Sequence, residues 1–450
     1  MTQLLIQNFL RSKGLMIGLV LLFFTGLVSL HIGKIFLEQQ ADIVSKTAHH
    51  QEESHQQHLE YEHGEMGLLL YYIRFGLANK TPNISGLSIG HRDIHPSVRL
   101  VNIRNLEEQK HATELRNPLY QLLGNLDFSF VLIYLFPLIV IAFCFNLLSE
   151  EKEGGTWTLL LSQSTPPVKI LRTKLWIRLV SVLSVLITLL VIGKIYLSIP
   201  LNAAFLAFTL VAVFYVLFWF ALAWFVVSLQ KSSSQNALSL LLVWVMLTII
   251  LPASINALVI NLYPIPEAYS TVIESRDGYH TKWDLPKKPT IQKFKDHYPQ
   301  FAQYEHPEGQ SFGWFWYYAM QQMGDDEAAE SNEAMKEKLR KRDQISRTIA
   351  YFLPSVHTQF SLNALSQSDM RNYLNFLNEL EAFHEEKRLY FYPKIFEGVP
   401  IEEENWAQFR LEYVEDDRKL EWFGKLLPLV LGSLLLVRLA RRKMVVSETK

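Results

Sequence analysis

The sequence predicts an all-α polytopic membrane protein: six transmembrane helices, with two mainly helical domains outside the bilayer on the side away from the termini. Three observations predict it. Apolar residues gather in six long runs, no charge stands at the middle of any run, and lysines and arginines of the short connections all fall on one side. Composition agrees, since 450 residues with 49% hydrophobic, 19% charged and a mean hydropathy of +0.10 are too apolar for one soluble globule and too polar for membrane throughout.

A bilayer core of about 30 Å needs about 20 apolar residues per helix, and the runs at 15–33, 128–148, 177–199, 203–229, 237–262 and 422–437 approach or meet that length. Residues 1–14 lead into the first run, which reads as a retained anchor. Arg11 and Lys13 precede it, but His31-Ile32-Gly33-Lys34 follows where a cleavable leader would carry a small-x-small site. Segment 34–127 begins as a helix leaving the membrane toward Glu62 and is broken into turns by Pro82, Gly86, Gly90 and Pro96. Lys152, Lys169, Arg172, Lys174 and Arg178 fill the 149–176 connection, Lys231 the next one on that side, and Arg438, Arg441 and Arg442 open the 438–450 tail. By the positive-inside rule both termini are cytoplasmic, while 34–127 and 263–421 form extracytoplasmic domains. Lys194 and Lys425 lie near run ends, where a long side chain reaches the headgroups.

Several functions are disfavoured at once. A net charge of -1 offers no field for a nucleic-acid backbone, so no nucleic-acid partner is expected. The single cysteine, Cys144, permits neither an intrachain disulfide nor a thiolate cluster. His55, His58 and Glu62 could share a helical face and are the candidate metal ligands. With no H-E-x-x-H pattern nearby, a hydrated helix face is the preferred reading and no metal is expected. The aromatic run Phe312-Gly313-Trp314-Phe315-Trp316-Tyr317-Tyr318 reads as domain core. Pro137 and Pro252, inside two of the runs, are hinge candidates because proline removes a helix hydrogen bond.

The most informative segment follows the second run. Glu150, Glu151 and Glu153 end a helix, Gly154-Gly155 make a pivot, and Thr156 can cap a short helix through Leu159 and Leu160 before Pro166-Pro167 stop it. A rigid helix held between two spans passes force from a soluble partner to both.

These residues resemble the signature of ABC-2 type transporter permeases: an acidic residue, Gly-Thr, a Leu-rich turn, a Ser/Pro stop and a lysine-containing start to the third span, here Lys169 and Lys174. Segments Ser346-Arg347, Phe352-Leu353-Pro354-Ser355 and Leu362-Asn363-Ala364-Leu365-Ser366 resemble the subgroup with large inserts after the first and fifth spans. The resemblance implies a type V exporter-like fold in a bacterial inner membrane. It also implies a coupling loop seated on an ATP-binding subunit, a second permease chain, and an amphipathic N-terminal segment (Leu4, Leu5, Ile6, Phe9, Leu10) lying along the membrane surface. The pattern G-x-x-x-x-G-K-[ST] does not occur, so the chain is expected to be no enzyme and to hold no cofactor, with ATP and Mg on the partner subunit. The expected function is ATP-driven movement of an amphipathic substrate. The alternative is mechanotransmission to an envelope protein or lipoprotein.

Overall fold

The computed structural model describes residues 2–61, 64–110, 125–162, 166–307, 309–418 and 421–448. A short helix α1 (Thr2–Arg11) precedes α2 (Lys13–Tyr61), which joins the expected first span and the helix leaving the membrane into one 49-residue element, about 74 Å long at 1.5 Å per residue. After α3 (Met66–Tyr72), β1 (Phe75–Asn79), β2 (Val98–Val101) and α4 (Leu106–Lys110) come four further membrane-length helices. These are α5 (Phe128–Glu153), α7 (Pro167–Tyr196), α8 (Ala203–Ser228) and α9 (Ser233–Leu262), with the five-residue α6 (Trp157–Leu161) between the first two. The second extramembrane segment supplies α10 (Glu267–Asp284), α11 (Lys287–His297), α12 (Trp314–Ala350), α13 (Pro354–Leu365), α14 (Met370–Glu397) and β3 (Glu412–Val414), before α15 (Phe423–Glu448).

Among the described residues six helices are long and apolar enough to cross a membrane: α2, α5, α7, α8, α9 and α15. Their packing is unequal. In the most apolar stretch of α8, 72% of residues are buried and in α5 61%, so these two form the centre; α9, at 11%, leaves nearly its whole surface uncovered. Tyr215, Trp219, Phe208 and Phe136 fill the contact between α5 and α8, with the buried Cys144 at its far end.

The two extramembrane segments, read from sequence as two mainly helical domains, build one joint unit with a small sheet. β1 lies in the middle, antiparallel to β2 (Phe75 opposite Val101) and parallel to β3 (Leu77 opposite Glu412). All five β1 residues are buried, so the strand lacks the alternation that reveals a half-exposed strand in a sequence. The core is shared too: Met66, Leu69, Phe75 and Leu77 pack with Phe294, Trp316, Tyr318, Phe391 and Tyr392. The aromatic run is core from Phe315 onward, with Phe315, Trp316, Tyr317 and Tyr318 all buried, whereas Phe312 at its start is exposed and Trp314 is half-buried. His384 on α14 donates to the Asn102 carbonyl at 2.9 Å, another tie between the segments, and burial pushes its imidazole well below the usual histidine range, keeping it neutral.

Candidate functional site

The 149–161 connection is a brace tied to three spans. Glu151 accepts hydrogen bonds from Lys174 of α7 and from the Thr156 hydroxyl. Glu153 accepts from the backbone N–H of Ser233 (2.8 Å) and from its hydroxyl (2.7 Å), which fastens the end of α5 to the first turn of α9. The Ser233 hydroxyl also lies 2.7 Å from that of Ser149, and Lys152 donates to Gln230 at 2.7 Å while standing 5.6 Å from the Trp157 ring centre. Glu150 is exposed on the rim.

The pivot lies at Gly155 alone. Its φ of +73° is left-handed, a conformation glycine adopts without the clash a Cβ would bring, whereas Gly154 has an ordinary helical φ of -81°. Thr156 corrects the sequence reading. It occupies the N-cap position of α6 with helical φ and ψ and makes no capping hydrogen bond, because its hydroxyl donates back to Glu151 instead. Beyond the pivot, Leu159 is 65% exposed and Thr158 also faces outward, while Leu160 turns into a cleft. That cleft, about 610 Å³, is enclosed by Leu4 and Asn8 of α1, Gly154 and Leu160 of the brace, and Lys174 and Arg178 of α7. α1 is the expected amphipathic segment: Phe9 is buried edge-on against Phe143 at 6.1 Å, whereas Leu4, Ile6 and Leu10 are exposed.

Both hinge candidates follow a turn of π-helix. Residues Val131–Leu135 precede Pro137 and Met246–Ile250 precede Pro252, and in each case the residue before the proline bonds five back, Phe136 to Val131 and Leu251 to Met246. The wider turn relieves the clash of the proline ring with the preceding turn. It also leaves the carbonyl four residues before the proline without its helical donor. At Pro137 that carbonyl is Ile133, and the buried Tyr215 hydroxyl of α8 donates to it at 2.9 Å while lying 3.1 Å from the Ser355 hydroxyl of α13. α13 touches α8, both π-turns and α15, so an element of the extramembrane unit is seated against both hinge candidates.

The metal candidates are engaged otherwise. His55 is buried, donates to the Arg74 carbonyl at 2.7 Å and packs edge-on against Phe75; His58 stacks on Tyr72 at 5.4 Å. Glu62 lies outside the described residues. Sequence reasoning placed the brace but missed Ser233, Gln230 and Tyr215. Each is an ordinary polar residue far along the chain from its partner, and nothing in its local pattern announces the contact.

Six membrane-length helices around a buried α5/α8 centre make this an α-helical multi-pass membrane protein. Residues 268–411 match the family model "Domain of unknown function (DUF3526)", a stretch running from α10 to the threshold of β3 that includes neither the brace nor any of the six helices long and apolar enough to cross a membrane. No curated protein and no solved structure matches the chain.

Proposed function

We propose that the chain is the membrane-spanning subunit of an ATP-driven transporter of the ABC-2 type in a bacterial inner membrane, with both termini cytoplasmic. The observation carrying this reading is the brace: Glu151 grips α7, Glu153 grips α9, and both stand at the end of α5, while Leu159 points outward as a contact for a soluble motor. A push on α6 therefore reaches three spans, two of them with proline hinges. The partner is an ATP-binding subunit that carries ATP and Mg. A second permease chain is the natural cover for α9, whose exposed Ser254 and Asn256 are polar groups in an apolar span and are costly against hydrocarbon. The cargo is an amphipathic molecule.

The test is to purify the native complex in detergent and measure ATP hydrolysis. Gly155→Val, strained by about 1–2 kcal/mol at a left-handed residue, together with Glu151→Gln is expected to leave the chain in the membrane and to lower both partner retention and hydrolysis. Absence of any nucleotide-hydrolysing subunit, or unaltered hydrolysis in the double variant, would sink the proposal.

A second reading, mechanotransmission to an envelope protein or lipoprotein without transport, is favoured by one observation: Tyr215 joins the Pro137 hinge to α13 of the extramembrane unit. Tyr215→Phe leaves the Ile133 carbonyl unsatisfied in an apolar setting, at a cost of about 1–3 kcal/mol. If the motion is delivered outward, the variant keeps ATP hydrolysis but loses nucleotide-dependent change in protease cleavage of the extramembrane unit. Unchanged nucleotide-dependent cleavage in that variant would remove this reading.

A further inference from the structure

A cleft of about 470 Å³ opens where the extramembrane unit meets the spans, between the 202–204 connection that starts α8, the α13–α14 junction and the start of α15. Four cations line it, Arg347, Arg371, Arg418 and Lys425. Three are neutralised within the fold. Arg347 pairs with Asp343 (2.7 Å) and Asp369 (2.8 Å), Arg371 with Asp343 (3.0 Å), and Arg418 with Asp369 (2.9 Å) and Asp416 (2.5 Å). Asp369 also caps α14 by accepting from the Asn372 N–H. Although burial pushes the Asp369 carboxyl up, Arg418 and Arg347 hold it below the usual carboxylate range, so it is ionised and this wall is a closed charge network.

Two groups are left over. Among the described residues neither the Lys425 ammonium nor the Glu421 carboxylate has a hydrogen-bond or ion-pair partner, and both line the cleft. Lys425 stands in the first turn of α15, where the helix dipole repels a cation, and it shares a second, smaller recess with Arg347. A positive group so placed is stabilised by an arriving anion. Glu421, one helical turn earlier and exposed, offers a carboxylate to a cation on the same ligand.

The surroundings say where that ligand comes from. Phe352 (83% exposed), Phe423 (69%), Tyr351 and Trp422 (50% each) crowd the same level, as aromatic side chains do at a membrane–water interface. Along α15 away from the cleft, Leu427, Leu431 and Leu434 are exposed at helical spacing, an apolar track for acyl chains. We propose that this cleft holds the headgroup of a phosphatidylethanolamine molecule, its phosphate on Lys425 and its primary ammonium on Glu421. A choline headgroup has no N–H to give Glu421, and a glycerol headgroup has no positive charge.

The experiment uses the full chain in mild detergent, incubated with an equimolar mixture of phosphatidylethanolamine, phosphatidylcholine and phosphatidylglycerol of distinct masses, with retained lipid counted by native mass spectrometry. The expected result is one phosphatidylethanolamine per chain, favoured by about tenfold, equivalent to about 1.4 kcal/mol. Lys425→Gln is expected to lose both phosphatidylethanolamine and phosphatidylglycerol, Glu421→Gln only the preference between them, and Lys293→Gln, a 66% exposed lysine elsewhere, neither. Equal retention of the three lipids by the wild-type chain overturns the proposal, and this arm stands whether or not the variants fold. Unchanged retention in a folded Lys425→Gln overturns it as well. A rise in melting temperature with inorganic phosphate equal to that with the lipid would assign the cleft to free phosphate and reject the lipid.

Discussion

Arg388→Met is expected to destabilise the extramembrane unit by about 3–5 kcal/mol, because it leaves a buried carboxylate without its counter-charge. The guanidinium, 2% exposed, reaches Asp325 at 2.7 Å, donates to the Ile103 and Arg104 carbonyls at 3.1 and 2.8 Å, and donates to the Gln322 side chain. One side chain on α14 thus holds α12 and the 103–107 stretch of the first segment. Asp325 in turn accepts from the backbone N–H groups of Leu106 and Glu107. Burial holds the Asp325 carboxyl above its usual range even against Arg388 and those N–H donors; with the arginine gone that opposition weakens, the rise is larger and the group takes up a proton on folding. A carboxyl whose folded pKa lies above its unfolded value loses stability as pH rises, so the deficit of the variant should grow from acid toward neutral pH. Urea unfolding followed by tryptophan fluorescence measures it, and adding Asp325→Asn should recover much of the loss while removing its pH dependence. A loss below about 1 kcal/mol, the size of a surface ion pair, would show that the network is not a keystone of the unit.

The next largest effect is expected at Gly33. A Cβ there would lie 1.9 Å from the Gly86 carbonyl oxygen, so α2 and the 83–87 turn touch backbone to backbone and no rotamer change can make room. That turn is well anchored: Asn83 donates to the Ser198 carbonyl at 2.9 Å and the Ser85 hydroxyl to the Ser366 carbonyl at 2.6 Å. Gly33→Ala must therefore push the first span from the joint between α7, α13 and the extramembrane unit, at a cost near the upper end of overpacking, about 3 kcal/mol. Gly26→Ala is the control, since its Cβ would meet only the side-chain end of Leu189 at 2.3 Å. Protease sensitivity and yield of folded protein compare the two, and equal behaviour would refute the backbone contact.

Much of the candidate site was legible in the sequence. Acid, glycine pair and double proline mark a short connection, and the structure puts its bend at Gly155, the one residue of the pair with positive φ. The reason for Thr156 was not legible, because its competing acceptor, Glu151, is held in place by Lys174, twenty-three positions further along. The same holds for Pro137. The missing N–H can be read from the residue type, but not that Tyr215 would supply a replacement donor to Ile133 and carry the link on to Ser355.

By itself the sequence determined six apolar stretches of membrane length, most of the aromatic core and a glycine bend, since bilayer thickness, apolar area and backbone sterics act on consecutive residues. Only the tertiary structure decided that the two extramembrane segments become one unit, that β1 is a central strand, and that Lys425 and Glu421 stand without a partner among the described residues, beside neutralised arginines. Those outcomes depend on contacts between residues hundreds of positions apart, whose energies are set by which charges and surfaces meet in space rather than by any local pattern.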